Sequence, residues 1–204
     1  MDAVGTVNSG AGSERHCVPR KATSLPVGFL GLFIATTGYA ALQLHWIESS
    51  YSTAIALSVL AITVPVQLLA CAASFAQAQT TAGTAMGILA GTWAAVSTIT
   101  ITTGSSTANS ALGVVLLCAG CAMLVPAVGG TGPPIAPIVM SVSAIRFIVT
   151  GVAEITAAPA WLTAAGWVGL GLAGVSFYAA LSVMAHAAHS SLRLPLGATK
   201  GSPR

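Results

Sequence analysis

One arginine lies well inside an apolar stretch of this chain, between the polar breaks at Pro134 and Glu154. A charge at the centre of a bilayer costs about 2.5–3.5 kcal/mol on insertion scales, so such a residue normally faces a bundle interior or water. Arg146 is therefore either a group that attracts anions into a pore, or an arginine that snorkels or pairs with a neighbouring helix.

Uncharged polar side chains add to this chemistry. Gln67 follows Pro65 in another apolar stretch, and its amide is expected to line the interior or to bond across helices. Several threonines offer hydroxyl donors to a small anion, although threonines in spans more often bond to their own helix carbonyls. These threonines are Thr36, Thr37, Thr84 and Thr92.

Other reactive residue types do not form a known constellation. Cys118 and Cys121 make a C-x-x-C without further ligands nearby, which favours packing over redox or zinc chemistry. Two histidines, His186 and His189, are too few for a zinc site. They are either polar residues at the membrane interface or proton sensors. No serine lies in a G-x-S-x-G elbow, and the chain has only 4 acidic residues. We expect no catalytic residues, no metal ligands, no cofactor and no enzymatic activity.

The composition indicates what must position these residues. Charged residues make up 5% of the 204 residues and hydrophobic residues 55%, and the mean hydropathy is +0.87. No Asp, Glu, Lys, Arg or His occurs between Ser49 and Ile145. A soluble domain carries about 25% charged residues, disorder needs low hydrophobicity, and nucleic-acid binding needs a basic patch. The chain is predicted to be a polytopic protein of the lipid bilayer.

The fold class expected is an all-α membrane protein with six transmembrane helices per protomer and short loops. The predicted spans are Leu25 to Trp46, Ser52 to Ala73, Ala82 to Ile101, Ser110 to Gly129, Pro134 to Ala153 and Leu162 to His186. The segment from Glu154 to Trp161, with Pro159, is expected to separate the last two spans. Three units follow: a flexible tail over 1–24, a transmembrane domain over 25–186, and a second tail over 187–204.

Positive residues lie mainly in the two tails. An even number of spans puts both tails on one side, and the positive-inside rule makes that side cytoplasmic. Glu48 and Glu154 then fall in outer loops, with Trp46 and Trp161 as interfacial anchors. The expected location is the plasma (inner) membrane, with several passes. The tail cations are Arg15, Arg20, Lys21, Arg193, Lys200 and Arg204.

Glycines recur at helical spacing on two spans. Helices in lipid associate by close packing of small residues, so packing is the first interpretation, and a narrow permeation path flanked by glycines is compatible with it. These glycines are Gly83, Gly87 and Gly91 on the third span, and Gly166, Gly169, Gly171 and Gly174 on the sixth.

Three groups of residues resemble motifs of the acetate uptake transporter (succinate–acetate permease) family. The closing signature is similar to Ala165-Gly166-Trp167-Val168-Gly169-Leu170, Tyr178 and Leu194-Pro195-Leu196-Gly197. A second match comprises Gln67, Ala70, Thr80, Thr84, Ala85 and Trp93, and a third, the opening motif, is Pro26-Val27-Gly28-Phe29. The resemblance covers about Leu25 to Gly197.

The resemblance implies a hexamer of six-helix protomers, each with a narrow path for acetate and, in some members, succinate. Transport in the family is described as proton-coupled or channel-like, with a bound carboxylate near the opening motif and an apolar constriction in mid-membrane. Leu32 and Leu89 stand where the family has constriction aromatics. Arg146 stands where the family is apolar, and Ser74 replaces a common acid.

The function predicted is a channel or transporter for a small carboxylate anion such as acetate, with succinate and proton coupling as further options, in a homo-oligomer. The alternatives are a non-transporting assembly or sensor protein with the same fold, and a transporter of another small solute such as ammonia. The predicted pathway residues are Pro26, Gly28, Leu32, Gln67, Thr84, Leu89, Trp93, Arg146 and Tyr178.

Overall fold

The computed structural model describes residues 23–104, 108–129 and 135–187. Within them lie six long apolar helices, as the sequence predicts. Even the shortest, with 19 residues, is about 28 Å long at 1.5 Å per residue, close to the thickness of a bilayer core. The helices are α1 (Leu25–Gln43), α2 (Ser49–Ala76), α3 (Thr80–Thr103), α4 (Ser110–Gly129), α5 (Ile135–Thr156) and α6 (Pro159–Ala187).

Hydrogen bonds and shared cavities assign each helix end to one side of the bundle. At one side the Ser24 hydroxyl bonds with that of Ser74, and Thr81 Oγ1 donates to the Gly129 carbonyl. We call this side the Ser24 end. The opposite side, where Glu154 accepts the backbone N–H of Asn109, is the Glu154 end. The helices therefore alternate in direction, as short loops require.

Several helix boundaries at the Glu154 end differ from the predicted ones, and those of α1, α5 and α6 bear on the site. α1 stops at Gln43 rather than Trp46, because the chain turns through a left-handed residue at His45 (φ 56°). α5 continues to Thr156, so Glu154 lies in its last turn and not in a loop. Pro159 opens α6 and does not interrupt it, since proline fits the first turn of a helix.

α2 contains the main irregularity of the bundle. A π turn at Val59–Thr63 precedes Pro65. Proline has no N–H and crowds the carbonyl four residues earlier, and the wider turn relieves that crowding. The buried hydroxyl of Thr63 donates to the Gly31 carbonyl of α1 at 3.0 Å, which ties the two helices together at the irregular turn.

Glycines let neighbouring helices approach closely, but only some of the predicted ones do so. A Cβ on Gly151 would lie 2.8 Å from the Gly113 carbonyl oxygen, so α4 and α5 meet backbone to backbone. Four predicted packing glycines face neighbours, whereas three have open space around the Cβ position. The packed ones are Gly83, Gly87, Gly166 and Gly169, and the open ones are Gly91, Gly171 and Gly174.

Candidate functional site

A cavity of about 120 Å³ opens at the Glu154 end of the bundle. Residues of α1, α3, α4 and α5 form its wall, and Leu162 of α6 borders it. Its polar members include Tyr39, Gln43, Thr100 and Thr150, while Glu154 stands at the mouth. The cavity thus places hydroxyls and an amide at the entrance to an otherwise apolar bundle.

A smaller cavity of about 20 Å³ lies roughly one helical turn deeper. It shares Tyr39, Gln43 and Thr150 with the outer cavity and adds three residues: Trp93 of α3, and Arg146 and Phe147 of α5. A site needs about 10–15 Å³ to hold one water. The deeper cavity therefore has room for one small polar group.

Arg146 is 2% exposed and is held by two neutral partners. Its Nη2 donates to Gln43 Oε1 at 2.6 Å, and its Nη1 donates to the hydroxyl of Thr150, one turn along α5. Its Nε has no hydrogen-bond partner among the described residues. The expectation of a helix-paired arginine is met in this respect, and the charge also faces the cavity.

Gly169 of α6 makes room for this arginine. A Cβ at position 169 would lie 2.9 Å from Arg146 Nε and 3.2 Å from its Cζ. The guanidinium therefore packs closely against α6 at this glycine. Gly169, part of the closing signature, also leaves room for Ala40 of α1, whose Cβ would lie 3.2 Å from the added Cβ.

Three aromatic rings line the deeper cavity: those of Tyr39, Trp93 and Phe147. The Trp93 ring lies 5.5 Å from the Tyr39 ring and 6.0 Å from the Phe147 ring, measured between centroids. The Tyr39 hydroxyl donates to Thr100 Oγ1 at 3.3 Å. Trp93 is 3% exposed, and its Nε1 has no acceptor among the described residues.

An apolar plug lies directly below the rings. Leu89 is one turn before Trp93 on α3, and Leu32 is two turns before Tyr39 on α1. Both leucines are fully buried in one core cluster with Phe29. The predicted constriction residues therefore belong to one closed apolar layer, whose role in transport stays a prediction.

The Ser24 end of the bundle holds a second group of predicted residues. Gln67 is fully buried, and neither atom of its amide has a partner among the described residues. Its Cγ would lie 3.6 Å from a Cβ on Gly31. Gly28 is covered by Met86, whose Sδ leaves no room for a Cβ there, and Pro26 is buried in the first turn of α1.

Most of the predicted pathway residues thus lie in three groups along the bundle, and their roles in transport stay predictions. Trp93 and Arg146 share a cavity, and Leu32 and Leu89 share the plug. Thr84 and Tyr178 are half-buried on α3 and α6, outside the walls of both cavities. Of the four threonines singled out in the sequence, three donate their hydroxyls to carbonyls of their own helices, as expected: Thr36, Thr37 and Thr92.

The sequence reasoning missed Tyr39, Gln43 and Thr150 as site residues. Thr150 follows Arg146 by four positions, so helical spacing alone indicates that the two side chains meet. Tyr39 lies two turns after Leu32 on the same face of α1. Gln43 is distant in sequence from Arg146, and no sequence pattern links the two.

The remaining motifs stay outside the site. Cys118 and Cys121 are exposed on α4, and His186 Nδ1 lies 3.0 Å from the Ser182 carbonyl oxygen. His189, the tail cations and the closing Leu194-Pro195-Leu196-Gly197 lie outside the described residues, as do most of the tails predicted over 1–24 and 187–204.

Among the comparisons with known proteins, the one with solved structures finds a match. No protein-family model matches the chain, and no curated protein matches it. A solved structure, the bacterial acetate channel SatP, superposes with a TM-score of 0.73 at 19% sequence identity. The match covers 86% of this chain and 99% of the SatP chain. The chain therefore has the six-helix membrane fold of the acetate channel SatP.

Proposed function

We propose that this protein is a membrane channel or transporter for small monocarboxylates such as acetate. The observation that carries the proposal is Arg146, a buried cation whose partners among the described residues are neutral and which lines a cavity at one end of the bundle. The fold shared with an acetate channel supports it. An anion cannot cross hydrocarbon cheaply, and a fixed positive charge lowers that cost.

The proposed path runs along the bundle axis. The anion enters the outer cavity and loses water to the N–H donors of Arg146 and Trp93. It then crosses the plug at Leu32 and Leu89, which gates by dewetting. Beyond the plug the unpartnered amide of Gln67 receives it, and Gly28 and Pro26 border the exit.

Thr84 and Tyr178 support the helices that line this path. We assign the Ser24 end to the cytoplasm, because the positively charged tails adjoin it and the positive-inside rule applies to such short segments. We place the protein in the plasma membrane as a homo-oligomer, a hexamer by resemblance to the permease family. Succinate as a second substrate and protons as the coupling ion belong to the same proposal.

The plug itself favours a second candidate function. Leu32, Leu89, Phe29 and Met86 are each at most 1% exposed and close the bundle between the two polar regions. A closed layer of buried apolar side chains is what we expect in a protein that kept the fold but lost the permeation path. In that case the chain acts as a non-transporting membrane protein.

Uptake of labelled acetate into liposomes tests the two functions. The protein is reconstituted, and initial rates are compared with protein-free liposomes, with and without an inward proton gradient. Faster uptake supports the proposal, and stimulation by the gradient assigns proton coupling. Rates equal to those of protein-free liposomes for acetate, formate, propionate and succinate alike would favour the non-transporting function.

A further inference from the structure

The charge of Arg146 has no carboxylate partner among the described residues. Within the described part of the chain the acids are Glu48 and Glu154. Glu154 accepts the N–H of Asn109, and Glu48 accepts the Ser50 hydroxyl. Among the residues that the structure describes, the side chain of Arg146 bonds to Gln43 and Thr150 alone. A buried charge left uncompensated in this way destabilises the fold, and an anion from outside would supply the missing countercharge.

The donors available to such an anion are N–H groups and not hydroxyls. The Thr150 hydroxyl donates to the Arg146 carbonyl, that of Thr100 to the Val96 carbonyl, and that of Tyr39 to Thr100. A guanidinium carries five N–H groups, and only two of those on Arg146 are used. Trp93 Nε1 is also buried without an acceptor among the described residues. Two residues that line the deeper cavity, Arg146 and Trp93, therefore each have a buried side-chain nitrogen without a partner among the described residues.

We propose that Arg146 and Trp93 form a binding site for one small monovalent anion. The site comprises the deeper cavity of about 20 Å³, which has room for one small polar group, and the outer cavity of about 120 Å³ that shares part of its lining. Its ligand is a carboxylate head group, with formate and acetate as the fitting sizes, and its identity as a transported substrate rests on the proposed function.

The site also sets a charge preference. One guanidinium balances one negative charge, and no other residue that lines the deeper cavity carries a positive charge: its other members are neutral polar or apolar side chains, Val96, Leu116 and Phe147 among the apolar ones. A dicarboxylate would leave its second carboxylate unpaired against these side chains, at a high desolvation cost. The site therefore selects acetate over succinate at neutral pH.

Substitution of Gln43 by glutamate tests the site with little change of shape. Gln43 Oε1 already lies 2.6 Å from Arg146 Nη2, so a glutamate there supplies the countercharge internally. It should abolish anion binding and raise the unfolding temperature. Gln79→Glu is the matched control, since Gln79 lies in the α2–α3 loop at the Ser24 end, away from both cavities.

Binding is measured in detergent micelles, where no flux is needed. Trp46, Trp161 and Trp167 are replaced by phenylalanine, so that Trp93 alone reports by fluorescence. Sodium acetate should give a saturable change, succinate at least a tenfold weaker one, and the bulky anion gluconate none. Gln43→Glu should weaken acetate binding at least tenfold, and Gln79→Glu should leave it unchanged. Arg146→Met is a second variant and should also lose binding.

Two results would overturn the site: no saturable change in the protein with Gln43 and Arg146 intact, or equal acetate affinity in Gln43→Glu. Failure of the site is distinct from failure of the proposed function. Binding without liposome uptake keeps the site and rejects transport. Uptake without binding rejects the site and keeps transport.

Discussion

Alanine at position 169 is expected to disturb the buried arginine. The new Cβ would lie 2.9 Å from Arg146 Nε and 3.2 Å from Cζ. Favourable contacts begin near about 3.5 Å, so the guanidinium must retreat by about 0.5 Å. On its other side it is held by Gln43 at 2.6 Å and by Thr150. It cannot retreat without loosening one of these bonds.

Overpacking of this kind costs about 1–3 kcal/mol. Equilibrium unfolding in mixed micelles should show that loss for Gly169→Ala, and acetate uptake should fall with it. Gly171→Ala is the matched control, because nothing lies within 4 Å of its Cβ position on the same helix. Its stability should stay within about 1 kcal/mol of the parent, since alanine is the better helix former.

A double-mutant cycle isolates the contact. In an Arg146→Met background the guanidinium is gone, so Gly169→Ala should cost much less, and the interaction energy should be at least about 1 kcal/mol. If Gly169→Ala costs the same in both backgrounds, or no more than Gly171→Ala, the guanidinium does not pack against α6 as described.

Three other substitutions test the plug, the amide and the packing of α4 on α5. Leu89→Ala should cost about 2–5 kcal/mol yet raise acetate flux and admit propionate; unchanged flux would remove Leu89 from the gate. Gln67→Leu should stabilise the fold by about 1–3 kcal/mol, because it removes unpartnered buried polar groups, and it should slow uptake; stability gained without loss of uptake would reject Gln67 as a pathway residue. Gly151→Ala should destabilise by about 1–3 kcal/mol, because its Cβ meets the Gly113 carbonyl oxygen at 2.8 Å; unfolding at the parent denaturant concentration would argue against that backbone contact.

The spans could be predicted because lipid enforces them. Each crossing needs about 20 apolar residues, and the polar breaks between them are visible in the sequence. Helix ends were harder to predict where a charged side chain in the last turn finds a hydrogen-bond partner on another segment. Glu154 is such a residue, because it lies in α5 and accepts the backbone N–H of Asn109. The π turn before Pro65 was not predicted, because the proline indicates crowding in α2 but the sequence does not show whether a π turn or a kink relieves it.

The site was predictable in part. Arg146 was expected either to attract anions into a pore or to snorkel or pair with a neighbouring helix. Its partner Gln43 lies on another helix, and no spacing rule connects the two. Spacing also could not separate Gly169, which faces a neighbour, from Gly171, which does not. That difference depends on which face of α6 meets α1 and α5, and only the assembled bundle determines it.

Exchange of labelled acetate at equal concentration on both sides of a liposome membrane tests directly whether the protein provides a path for small monocarboxylates. Channels and coupled transporters both catalyse exchange, so the result does not depend on the coupling ion. At about pH 8 almost all acetate is the anion, which keeps leakage of the free acid low. If the protein conducts monocarboxylates, labelled acetate should equilibrate several times faster in proteoliposomes than in protein-free liposomes, and excess formate should slow this exchange. Equal rates in the two preparations, with the protein folded and inserted, would contradict the proposed function.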